Sequence, residues 1–234
     1  RVRGAHPDVV TYTTAVKALG RAGQTHEALS LFAAMRDDPS LELDDVSYHT
    51  ALDVCARGAG SAPECAEAAV ELLRGMQEEG LAPGALGYQS VLQACGQAGR
   101  WEEALRLLRD MEGEGGGGGD EMAYTTVINA CAAADEVEVA LRLLEEMTDD
   151  KGLTPNVVAY FAVVRACKRT GQWEQALILL DDMQARGIPP ASAILEFAAD
   201  ACVAARQLTH ASALLKTMRE RGLDPPDGVY VRAI

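Results

Sequence analysis

The chain has 234 residues, 48% of them apolar and 24% charged, a composition that excludes disorder and collagen-like structure and suits one domain or a short array of small units. With 21 basic and 35 acidic residues the net charge is -14, so no overall positive field attracts nucleic acid or anionic lipid, and a polyanionic partner requires a locally favourable face. No apolar run approaches 18 residues, so no membrane contact is expected, and six cysteines without a single Cys-x-x-Cys point to a reducing compartment rather than a disulfide scaffold.

In chain order, Arg1 to Asp8 lack both an apolar signal core and an Arg- and Ser-rich presequence, so any targeting segment is expected upstream, and residues 1–8 read as the end of a preceding repeat. Beyond them the rare residues recur at a fixed interval. Tyr12, Tyr48, Tyr88, Tyr124 and Tyr160 are separated by 36, 40, 36 and 36 residues, Leu195 stands 35 farther on, and Tyr230 another 35. Cys55, Cys95, Cys131, Cys167 and Cys202 follow these markers by seven residues, with Leu19 in that place in the first unit. Met35, Met76, Met111, Met147, Met183 and Met218 fall near the unit ends. The predicted repeats span 9–44, 45–84 with an inter-helix insertion, 85–120, 121–156, 157–191 and a divergent 192–226, followed by the start of a truncated seventh at 227–234.

Apolar residues within a repeat recur at three- and four-residue steps, which predicts two helices and no strand. In the second helix of the third repeat, Trp101, Ala104, Leu105, Leu107, Leu108 and Met111 make one stripe against Glu102, Glu103, Arg106, Arg109 and Asp110. The stripe returns from Val137 to Met147 and from Trp173 to Met183. First helices carry the Tyr and Cys places, with small Ala94, Ala130 and Ala166 permitting close packing. Gly23, Gly99 and Gly171 separate the helices of a pair, and Pro83, Pro155, Pro189 and Pro225 separate the pairs. A two-helix unit cannot bury its stripe alone, so the expectation is an all-α solenoid of stacked hairpins.

The remaining residues offer no catalytic or metal chemistry, and no cofactor or small-molecule substrate is expected. Cysteines recurring once per stacked repeat are about 10 Å apart, too far to share a zinc ion, and read as buried small hydrophobes. Cys65, near the irregular stretch from Gly58 to Pro63, is the one expected to be exposed. The Gly113 to Gly119 run contains G-x-G-x-x-G, but it follows a helix and lacks a P-loop lysine, so it reads as a flexible loop. His6, His26, His49 and His210 have no ligand spacing, and neighbouring acids such as Glu145 and Glu146 point different ways on a helix.

Pro7-Asp8-Val9-Val10-Thr11-Tyr12, Gly99-Arg100-Trp101-Glu102-Glu103-Ala104-Leu105 and Gly152-Leu153-Thr154-Pro155-Asn156-Val157-Val158-Ala159-Tyr160 together closely resemble the pentatricopeptide repeat family, from Pro7 to Tyr230. A period of 35 or 36 separates the chain from tetratricopeptide repeats, whose period is 34. The resemblance implies a right-handed superhelix and non-catalytic binding of single-stranded RNA, about one nucleotide per repeat. It also implies a place in RNA processing, mRNA stability or translation in a chloroplast or mitochondrion. By resemblance, the second residue of each repeat sandwiches a base. Those residues are Val10, Val46, Leu86, Met122, Val158 and Ala193. The fifth and last residues would read the base edge: Thr13 with Asp44, His49 with Gly84, Gln89 with Asp120, Thr125 with Asn156, Phe161 with Ala191, and Glu196 with Pro226. The first pair would favour guanine and the fourth adenine. Gly84, Ala191 and Pro226 have no polar side chain, and Phe161 stacks but cannot read an edge, so specificity should be poor or short.

Phosphate affinity depends on the charge of the first helices. The first fourteen residues of the six repeats carry +1 in total and the rest of the chain -15. Lys17 and Arg21, and Arg165, Lys168 and Arg169, are the two basic clusters and the expected phosphate contacts. So few cations imply weak binding by these repeats alone. The alternative is a protein-interaction scaffold in an organellar ribosome or transcription complex. A catalytic domain could lie beyond Ile234.

Overall fold

The computed structural model describes residues 8–113 and 119–223. Expectations placed on the first seven residues, on 114–118 of the glycine run, and on Pro225, Pro226, Tyr230 and the truncated seventh repeat lie outside the described residues. Among the described residues there are twelve helices and no strand. They form two compact units that divide between Gly119 and Asp120.

The first unit holds α1 (Val9–Arg21), α2 (Thr25–Arg36), α3 (Asp45–Gly58), α4 (Glu64–Glu78), α5 (Gly84–Gln97) and α6 (Trp101–Gly113). The first helices α1, α3 and α5 pack in succession, α2 packs on α1 and α3, α4 on α3 and α5, and α6 on α5. The second unit holds α7 (Glu121–Ala133), α8 (Val137–Asp149), α9 (Val157–Thr170), α10 (Trp173–Ala185), α11 (Ser192–Ala204) and α12 (Leu208–Glu220). There α7, α9 and α11 pack in succession, each with its own second helix, and α8 and α10 also reach the next first helix. Each unit is thus a run of stacked hairpins whose shared interior lies along the first helices, the solenoid arrangement expected.

Helix starts follow from the sequence. Asp8, Asp44, Asp120 and Asn156 stand just before α1, α3, α7 and α9, and each accepts from the backbone N–H three residues on, at 2.8–3.0 Å. Such a cap is worth about 1 kcal/mol. Between paired helices the chain turns through a left-handed residue, Gly23, Gly99 or Gly171, with φ of 77°, 73° and 76°. Asp135 and Arg206 hold that place in the fourth and sixth hairpins despite their Cβ atoms, at φ 64° and 58°. Close approach matters once more at Gly20, where a Cβ would come within 2.4 Å of Val54 Cγ2 on α3.

The marker residues form the interior. Tyr48, Tyr124 and Tyr160 are fully buried, and each hydroxyl donates to an acid at the far end of its own hairpin: to Glu79 at 2.7 Å, Glu146 at 2.8 Å and Asp182. The bond lets a buried phenol keep its polar end satisfied at the rim of the core. Burial first, and then the neighbouring carboxylate, pushes the Tyr48 and Tyr160 hydroxyls well above the ordinary phenol value.

All six cysteines are buried free thiols. This corrects the expectation for Cys65, which is only 3% exposed: α4 begins at Glu64, and its first turn carries Cys65 inward against Gly58 of α3. Burial pushes the Cys55 and Cys95 thiols up to about 12 and those of Cys131 and Cys167 to about 11. A raised folded value stabilises the protein fully below the ordinary thiol value of about 9, and the contribution disappears as pH rises toward 11–12. At pH 8 a thiol reagent such as dithionitrobenzoate should therefore label the native protein only over the time of unfolding and all six cysteines at once in denaturant. Circular dichroism should show unfolding between pH 9 and 12. Rapid native labelling would show that the thiols are not in the core.

Candidate nucleic-acid interface

The side chains that stand out on the first helices are those the folding pattern should have hidden. Val10, Val46 and Leu86 in the first unit are 71%, 59% and 75% exposed, and Met122 and Val158 in the second are 61% and 52% exposed. Each lies in the first turn of its helix, two residues before the marker Tyr, which is buried on α3, α5, α7 and α9 and half-buried on α1, so the helix that turns Tyr inward turns this position to solvent. Among the other large apolar side chains of the described residues only Ile178 is as exposed, with Val157 and Leu208 less so, and outward apolar residues thus concentrate at one repeated place. A single exposed valine needs no explanation, whereas the same position exposed in five hairpins does. Ala193, its counterpart on α11, is half-buried.

The edge-reading residues lie close to these positions but are partly occupied. Thr13 Oγ1 donates to the Val9 carbonyl at 2.7 Å and lies 3.0 Å from Ser47 Oγ, which donates to Asp44 Oδ1 at 2.5 Å. Thr13 and Asp44 are thus linked through buried Ser47, a residue the sequence reading passed over. The Ser47 hydrogen bond also holds the Asp44 carboxyl below its usual range. His49 is half-buried, and its Nε2 lies 2.9 Å from the Pro83 carbonyl, which requires the proton on Nε2. Gly84, its partner, offers backbone alone at φ 57°. Gln89 is half-buried on α5, and Asp120 uses Oδ1 to cap α7.

In the second unit Asn156 Nδ2 donates to Thr125 Oγ1 at 3.1 Å while Oδ1 caps α9, so the fourth pair is joined directly. Thr125 is only 8% exposed, behind the more open Asn156. Phe161 is half-buried, with the Phe197 ring 5.5 Å away, and Ala191 precedes α11 without a side-chain cap. Glu196 accepts from Ser192 Oγ at 2.9 Å, and its predicted partner Pro226 lies outside the described residues.

Of the basic residues, Lys17 and Arg21 are exposed on α1 and have no acidic partner among the described residues. Lys168 pairs with Asp200 at 2.5 Å. Arg169 pairs with Asp135 at 2.6 Å and donates to the Ala132 carbonyl at 2.5 Å, bracing the preceding hairpin turn. Only Arg165 in this cluster has no acidic partner among the described residues. The +3 cluster in the sequence is therefore largely compensated from neighbouring hairpins, and the acids that do so lie 32 and 34 residues away.

Three models of the PPR repeat match the chain, at residues 3–36, at 119–169, and at 88–116 and 158–188, together more than half of it. The chloroplastic pentatricopeptide repeat-containing protein 10 of Zea mays is 37% identical over 105 residues, which make up 44% of this chain and 12% of that protein. The crystal structure of PPR10 from maize is similar over 97% of this chain and 31% of its own, with a TM-score of 0.72 at 28% identity. A further crystal structure, of PPR10 in complex with an 18-nt psaJ RNA element, has a TM-score of 0.68 at 21% identity over 92% of this chain and 30% of its own. The chain therefore spans a small part of the length of the proteins it matches.

Proposed function

The chain belongs to the pentatricopeptide repeat family, and on that premise we propose that it binds single-stranded RNA without catalysis, about one nucleotide per hairpin, in RNA processing, stabilisation or translation in a chloroplast or mitochondrion. The observation that carries this reading is the outward set Val10, Val46, Leu86, Met122 and Val158. Apolar side chains there cover base faces and lose water in doing so, which rewards binding and does nothing for the isolated fold. The solved RNA complex of PPR10 and the chloroplastic name of the maize relative accord with it. Base reading falls to Thr13 with Asp44 and to Thr125 with Asn156, the two pairs whose polar groups already converge. Lys17, Arg21 and Arg165 are the cations left for phosphate.

Selection from a randomised single-stranded RNA pool at low salt tests this reading. The expected winner has G, two unread positions and then A. Changing both Thr125 and Asn156 to Ala should weaken binding of that RNA by about 1–3 kcal/mol and relax the preference at the A alone. Equal affinity for all sequences would defeat the register proposed.

One observation favours the scaffold reading. Lys168 and Arg169 are held in intramolecular pairs, which leaves a first-helix surface near neutrality that a protein segment could also occupy. Capture of partners from organelle extract that survives nuclease treatment would support it, and loss of all partners on nuclease treatment would count against it.

A further inference from the structure

In the fifth and sixth hairpins the reading pairs cannot work as pairs. Phe161 has no donor or acceptor, and neither does Ala191. We propose that these hairpins instead hold one unpaired nucleobase by stacking on Phe161 and Phe197, with Arg165 on the adjoining phosphate, so that this end of the surface grips RNA without reading it. The proposal rests on the RNA-binding reading above and gives it a second, sequence-independent element.

The arrangement follows from helix geometry. Phe161, Arg165 and Lys168 lie four and then three residues apart on α9 and so share one face, which meets α11. Across from them α11 presents Phe197 and Asp200, again three apart. The two rings are 5.5 Å apart and inclined by 42°. Both are half-buried, held at the base yet reachable from solvent. Lys168 Nζ lies 4.7 Å from the Phe197 centroid and is also bound to Asp200, so its charge is compensated and its part is to fix the ring.

Arg165 differs. Its guanidinium carbon lies 5.6 Å from the Phe161 centroid, it has no acidic partner among the described residues, and its Nε is buried without a hydrogen-bond partner. A buried donor left unmatched is uncommon in native proteins, and it sets this guanidinium apart from Lys168 and Arg169, whose charges are taken by acids. An uncompensated guanidinium beside aromatic faces supplies the two parts that sequence-independent single-strand binding needs, a cation for the phosphate and a π-surface that accepts every base.

The test uses the whole chain and single-stranded RNAs of one sequence with 2-aminopurine placed at successive positions. With the wild-type protein, one position should be quenched by stacking. Phe161→Leu and Phe197→Leu should each abolish that quenching and weaken binding of all RNA sequences alike by about tenfold, while Phe161→Tyr keeps both. Arg165→Gln should lower the slope of log affinity against log salt by about one. Circular dichroism of each variant confirms that the helices remain. If the wild type binds with a base preference but the leucine variants keep its affinity and quenching, the stacking site is overturned and the RNA reading stands. If the wild type binds no RNA even at low salt, the RNA reading itself is overturned.

Discussion

Tyr124→Ala should destabilise the protein by about 3–5 kcal/mol, the usual cost of emptying a buried aromatic site that cannot collapse. Tyr124 is fully buried in α7, where α8 and α9 both pack, and its hydroxyl donates to Glu146. Removing the ring therefore opens a void where two helix interfaces meet and takes away the hydroxyl that donates to the Glu146 carboxylate. Two companion variants separate these effects in urea unfolding followed by circular dichroism. Tyr124→Phe keeps the ring and loses the hydrogen bond, and should cost about 1–3 kcal/mol, the range for a bond to a charged acceptor. Tyr12→Ala alters the same place in the first hairpin, where the ring is only half-buried, and should cost well under the Tyr124 value. If alanine at 124 proves no worse than phenylalanine, the ring is not a packing element of the core.

The largest effect on binding is expected from Met122→Asp combined with Val158→Asp, which should reduce RNA affinity roughly 100-fold while leaving stability unchanged or slightly raised. Covering an aliphatic side chain fully is worth about 1.5–3 kcal/mol, and the variant removes two apolar contacts while setting two anions beside phosphates. The fold has little to lose, since both side chains are mostly exposed. Met122 and Val158 also lie in the first turns of α7 and α9, where a negative charge is favoured by the helix dipole at about 0.3–1 kcal/mol each. Tyr124 governs folding, and the two outward residues govern binding. Wild-type affinity in the double aspartate variant, measured by fluorescence anisotropy at low salt, would show that RNA does not cross this face.

Local chemistry was legible in the sequence and distant pairing was not. The spacing of Tyr and Cys located the hairpins because a stacked interior asks for the same residue at the same depth each time. Helix starts were equally plain, since Asp8, Asp44, Asp120 and Asn156 act on backbone only three residues away. The outward exposure of the second residues was implied by the family pattern, though no apolar periodicity would have led to it. What escaped reading were contacts between residues many positions apart. Nothing in the local sequence says that Asp135 and Asp200 take Arg169 and Lys168, that Glu146 receives Tyr124, or that Phe197 comes beside Phe161. Cys65 was misread for a related reason: the length of the insertion was visible, but the point at which α4 begins, and hence the side of the helix on which Cys65 falls, was not.

The residue that ends one repeat also fastens the helix that opens the next. Asp44, Asp120 and Asn156 each spend one oxygen on a backbone N–H, so a letter of any base code written there is drawn from a short alphabet of side chains able to cap as well as read. Recoding such a repeat to a residue outside that alphabet would change what is recognised and loosen the neighbouring helix in the same stroke, coupling vocabulary to architecture. Gly84 and Ala191, which cap nothing with a side chain, are exempt from the coupling. Ala191, extended just before α11, is the blank space in the text, where a new letter such as Asp or Asn would add a fastening rather than remove one; Gly84, already inside α5 at φ 57°, holds a backbone conformation that disfavours a side chain.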